Sequence, residues 1–76
     1  MANTYIYPVY DAEKPNVIKI KKVIASSWKS ALEKVMQIYC DKYDDLTDDN
    51  WNVFTRQLYD LYDIVIGEVV DIESLT

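Results

Sequence analysis

Cys40 is the chain's one thiol, and it follows Tyr39 near the end of a helical pattern. A reactive cysteine needs a depressed pKa, which a helix N-terminus or a cationic neighbour supplies. Cys40 instead lies toward the C-terminal end of its helix, amid aspartates, and reads as a small inert hydrophobe. The run Asp41-Lys42-Tyr43-Asp44-Asp45-Leu46-Thr47-Asp48-Asp49-Asn50 offers oxygen ligands in the manner of a calcium loop. An EF-hand also needs a mid-loop glycine and a closing glutamate, and this run has neither. Asp44-Asp45 and Asp48-Asp49 are carboxylate pairs, but acid–base work needs members whose environments push their pKa values apart. Nothing around either pair points to a buried member. The chain also has no histidine and one glycine, which removes histidine relays, histidine-ligated metals and glycine-rich phosphate loops. Neither an enzyme nor a cofactor or metal is expected.

What remains is surface chemistry. Residues 1–39 carry a net charge of +3, residues 40–63 a net −5 with seven aspartates, and residues 64–76 a net −3. The total of −5 therefore belongs to the second half. Such a chain repels nucleic acid and anionic lipid at long range, so neither is expected as a direct partner. Met1-Ala2-Asn3-Thr4 has no basic n-region followed by an apolar run and no stretch reaches membrane length, so neither a leader nor a span is expected. One unpaired cysteine fits a reducing compartment, and the expected location is cytoplasmic.

Seven tyrosines are the second unusual feature. Tyr5, Tyr7 and Tyr10 crowd one short strand pattern, while Tyr43, Tyr59 and Tyr62 interleave with aspartates. Tyrosine supplies large contact area at small entropic cost and is enriched at interfaces. It also serves small proteins as a core rim, ring inward and hydroxyl in water.

Five elements must position these groups. Tyr5-Ile6-Tyr7-Pro8-Val9-Tyr10 is β-branched and aromatic, and Pro8 suits an edge strand, which it mildly favours, or a strand whose Pro8 position points away from its neighbour. After a polar connection over residues 11–15, Ile18 and Ile20 alternate with Lys19 and Lys21 as a half-buried strand. The alternation blurs at Lys22-Val23, which suggests a bulge or an early end. Ser26 and Ser27 then offer N-caps. Trp28, Ala31, Leu32, Val35, Met36, Tyr39 and Tyr43 fall on one face of a helix. Thr47 caps a second helix, with Asp48 and Asp49 in its first turn and Trp51, Phe54, Leu58, Leu61 and Tyr62 as its apolar stripe. Ile64 to Val70 reads as the last strand, and 73–76 as a frayed tail.

The expected fold is one α+β domain over 1–76 in the order β-β-α-α-β. A three-stranded, mostly antiparallel sheet carries a helical hairpin on one face. Strand order stays open between 1-2-3, wholly antiparallel, and 2-1-3, mixed. The expected core is Trp28, Leu32, Val35, Met36, Trp51, Phe54, Leu58, Ile18, Ile20, Ile64 and Ile66.

The segment Lys22-Val23-Ile24-Ala25-Ser26-Ser27-Trp28-Lys29-Ser30-Ala31 joins a strand to a capped helix. It resembles the strand-to-helix junction of many small phage and mobile-element proteins, among them some anti-CRISPR inhibitors. The resemblance implies a small acidic host- or phage-directed inhibitor. Spaced carboxylates can imitate nucleic-acid phosphates and dock into another protein's basic groove. The expected contact set is Asp41, Tyr43, Asp44, Asp45, Asp48, Asp49, Tyr59, Asp60, Tyr62 and Asp63, with the five aspartates of 41–49 gathered at one end of the molecule. The alternative is self-association, in which Tyr5, Tyr7 and Tyr10 pair a first strand with a second copy.

Overall fold

The computed structural model describes residues 2–75. The elements are β1 (Asn3–Asp11), β2 (Lys14–Ala25), α1 (Trp28–Lys42), α2 (Trp51–Tyr62), β3 (Ile64–Ile66) and β4 (Val70–Asp71), followed by a 3-10 turn, Ile72–Leu75. The fold is α+β in the expected element order. The sheet runs β2-β1-β3, with β4 also paired to β1, and every pairing is antiparallel.

That topology corrects one expectation and follows from another. Order 2-1-3 was expected to be mixed, because an up-and-down helix pair returns β3 in the direction of β1. Here Met36 and Trp51 line one depression, Tyr39 stands 6.1 Å from Phe54, and Tyr43 stands 4.2 Å from Tyr62. The contacts advance together along both helices. α1 and α2 therefore run in the same general sense, and residues 43–50 carry the chain back alongside α1. β3 consequently leaves α2 running against β1.

β1 is central, so the edge position expected from Pro8 is wrong. A central proline normally costs a ladder hydrogen bond. The neighbouring chain accommodates it with a bulge. Val9 pairs with Ile66 and Ile6 with Val70, leaving three residues, 67–69, opposite Tyr7 and Pro8. Pro8 still accepts a hydrogen bond there, from the Gly67 N–H at 2.9 Å.

Strand alternation sorts β1 and β2 into two faces. Tyr5 pairs with Val23 and Asn3 with Ala25, and Tyr5, Tyr7, Val23 and Ala25 are buried beneath the helices. Ile18 and Ile20, expected in the core, are 56% and 60% exposed on the opposite face. Both faces of β2 carry aliphatics, and a choice of face moves every side chain of the strand. Val23 and Ala25, nearest α1, settle it. The strand runs unbroken past Lys22-Val23, and its register shifts instead at Tyr10/Asp11.

Ser27 caps α1 as expected, its hydroxyl accepting from the Ser30 N–H at 3.1 Å. Trp28 is not a core residue. It is 54% exposed, and its indole N–H donates to the Val69 carbonyl at 2.8 Å. The cap of α2 is Asn50 rather than Thr47, with its side chain accepting from the N–H groups of Asn52 and Val53. Thr47 is engaged by Gln57, which accepts its N–H at 2.8 Å and donates to its hydroxyl at 3.4 Å. Asp48 and Asp49 thus precede the helix instead of opening it.

Phe54, Leu58 and Met36 form one buried cluster, bordered by half-buried Trp51, Ile64 and Ile66. Tyr5, Tyr7, Val23, Ala25, Ala31, Leu32, Val35 and Val69 form the other. Asp71 holds the following turn by accepting from the Glu73 N–H and, through its carbonyl, from the Ser74 hydroxyl. The expected tail over 73–76 thus meets a 3-10 turn through Leu75, and Thr76 lies outside the described residues.

Candidate functional site

The return segment 43–50 decides where the carboxylates go. Asp41, Asp44, Asp45, Asp48 and Asp49 are all exposed. They do not gather at one end. Asp45 accepts a 3.4 Å hydrogen bond from the Tyr62 hydroxyl, beside the C-terminal ends of both helices. Asp48 and Asp49 instead share a depression with Lys29, Glu33 and Gln37, on the first and middle turns of α1. Because the segment travels back along α1, the aspartates form a ridge down the side of the molecule.

The tyrosines stiffen one end of that ridge. Tyr43 stacks on Tyr39 at 6.5 Å with rings 7° from parallel, and lies 4.2 Å from Tyr62. Aromatic pairs at such distances add stabilisation beyond their area. Tyr62's hydroxyl is held above its ordinary pKa by desolvation first, then by the charge of Asp45 and the hydrogen bond to it. It stays a neutral donor at physiological pH. Tyr43, Asp44, Asp45 and Tyr62 are therefore a structured group.

Other expected contact residues stand apart. Tyr59 and Asp60 border a shallow depression with Arg56, Val65 and Ile66. Asp63 has a structural role as the α2 C-cap, in the left-handed region at φ 56°, where aspartate is tolerated better than most residues. Its carbonyl accepts from the Ala12 N–H at 2.7 Å and ties α2 to the β1–β2 connection.

Cys40 is half-buried, and its thiol donates to the Leu46 carbonyl at 3.6 Å. Burial first, then the charges of Asp48 and Asp41, push its pKa up. Those conditions suppress the thiolate. Among the described residues, no group of three or more cysteine or carboxylate side chains is arranged to hold a metal ion, and no helix is long and apolar enough to cross a membrane.

No protein-family model, curated protein or solved structure matches the chain.

The tyrosine strand does not present the surface expected of it. Tyr5 and Tyr7 are 4% and 3% exposed, inside the core, and β1 has neighbours on both sides. Only Tyr10 reaches the open sheet face, where it pairs with Ile18 and Val65. Sequence reading missed what that face is: Ile18, Ile20 and Ile24 stand exposed along β2, the true edge strand. The signal was there, in isoleucines at even positions 18, 20 and 24.

Proposed function

We propose that the chain is a non-enzymatic protein-binding module that offers a carboxylate ridge to a basic surface. Most concretely, it is a small cytoplasmic inhibitor of a nucleic-acid-handling protein, of the kind small phage proteins supply. The observation that carries this reading is the ridge itself: five exposed aspartates in residues 41–49, braced at one end by the Tyr43–Tyr62 contact. Carboxylates held on a fixed surface steer a basic partner and set its register more than they add raw affinity. Asp41 and Asp44 also sit where the negative end of the α1 dipole opposes them, so local stability does not account for them.

Changing Asp41, Asp44 and Asp45 together to asparagine is expected to leave the thermal midpoint unchanged or slightly raised. Partner capture from a lysate should fall about tenfold at low salt, and capture by the parent should weaken as ionic strength rises. A triple variant that binds as the parent does would leave the ridge as solvated surface only.

A second reading has its own support. The isoleucines at 18, 20 and 24 border the free edge of β2, and an open edge beside apolar side chains is a template for pairing with another copy. Under this reading Ile20→Glu converts a dimer seen by light scattering at high micromolar concentration to monomer. A parent that is strictly monomeric there removes the reading.

A further inference from the structure

A cluster of opposite sign adjoins the Tyr43 end of the acidic ridge. Lys14, Lys19 and Lys21 of β2 meet Lys42 from the last turn of α1 around a cleft of about 330 Å³, with Tyr39 and Tyr43 on its helix side. Strand alternation puts the lysines there, because Lys19 and Lys21 share the helix-facing side of β2 with buried Val23 and Ala25. Toward its start β2 extends past the cover of α1, and its uncovered helix-side positions carry Lys19 and Lys21 next to exposed Val17.

Four cations border this cleft, and among the described residues Asp11 is the one acidic residue on its lining. Asp11 is itself engaged, accepting from the Glu13 N–H at 2.9 Å. Like charges so placed repel one another. The chain has 13 acidic side chains against 8 basic ones, yet the carboxylates are distributed elsewhere.

We propose that this cleft binds a phosphate-bearing small molecule. Its volume falls in the range of small-molecule sites, about 300–1,000 Å³. Its cations are all lysine. The arginine fork matches carboxylate and phosphate alike, whereas compact ammonium groups act as point charges that approach phosphate oxygens from several directions. Four of them suit a ligand with more than one negative charge. Tyr39 lines the cleft as a neutral phenol, because burial first, then Tyr7 and Tyr43, push its pKa up to about 12.

The test is a titration of the isotope-labelled full chain, followed by backbone amide shifts, with inorganic pyrophosphate, ADP and adenosine in turn. Saturable shifts at residues 14–21 and 39–43 are expected with millimolar pyrophosphate and with ADP, and none with adenosine. Equal affinity for the two phosphates assigns the phosphate group alone, and tighter ADP binding assigns a nucleotide. Lys19→Gln with Lys21→Gln should weaken binding about tenfold, and Lys42→Gln, from the opposite wall, should weaken it too. Lys29→Gln with Lys34→Gln, outside the cleft, should leave it within about twofold. Absence of saturation with both phosphates, adenosine binding as strong as pyrophosphate, or equal loss in the remote pair would overturn the proposal.

Discussion

Replacing Phe54 with alanine is expected to destabilise the protein by about 3–5 kcal/mol, the usual range for removing a buried aromatic ring. Phe54 is fully buried, packs in one cluster with Met36 and Leu58, and has Trp51 at 5.6 Å and Tyr39 at 6.1 Å. Those neighbours come from both helices, so the ring is the main joint between α1 and α2. The cavity cannot collapse cheaply, because the α1 side is fixed to the sheet by buried Val35 and Ala31. A domain of this size has a total stability of roughly 4–11 kcal/mol, so the loss is a large share of it. Denaturant unfolding followed by circular dichroism should show the midpoint falling steeply, with much of the Phe54→Ala population unfolded near body temperature. Phe54→Leu keeps most of the volume and should lose markedly less. A loss below about 1 kcal/mol in the alanine variant would mean that the two helices are not joined through this ring.

Much of this joint was legible in the sequence, because helical periodicity places Met36, Phe54 and Leu58 inward without reference to the rest of the fold. The Ser27 cap was equally local. What was not legible depended on partners far along the chain. Trp28 fits the apolar stripe of α1, yet it begins the helix, where its ring reaches over the end to the Val69 carbonyl. Ile18 and Ile20 obey strand alternation as well as Val23 and Ala25 do, and only the position of α1 chooses between the faces. The acidic ridge shows the same division. Its charges can be counted from the sequence, whereas their path follows from the sense of α2, which periodicity does not encode. The lysine cleft was hidden for a related reason: Lys42 and the β2 lysines lie far apart in the chain and meet only through the packing of α1 on the sheet.

Gly67→Ala is the second substitution with a large expected effect, and its cause is contact rather than backbone conformation. Gly67 does not adopt positive φ, so alanine is not excluded by its dihedral angles. Taken alone, such a change stabilises by about 0.4–1 kcal/mol through the entropy of the unfolded chain. Here a Cβ would collide with Cγ of Pro8 and crowd the adjacent Cδ. The proline ring has no rotamer by which to move aside. Relief requires β3 and the bulge to shift away from β1, which strains the Gly67 N–H bond to the Pro8 carbonyl. Overpacking of this kind costs about 1–3 kcal/mol, and a weakened hydrogen bond adds about 1 kcal/mol, so the clash outweighs the entropic gain. The net expectation is a loss of about 1–3 kcal/mol in urea unfolding. The mechanism is separable by a double-mutant cycle with Pro8→Ala, which removes the ring and with it the obstacle. Gly67→Ala should then cost little in the Pro8→Ala background, giving a coupling energy of about 1–2 kcal/mol. Additive losses would mean that the glycine is required by something other than the proline packed against it, and that the bulge opposite Pro8 is not what admits a proline to the central strand.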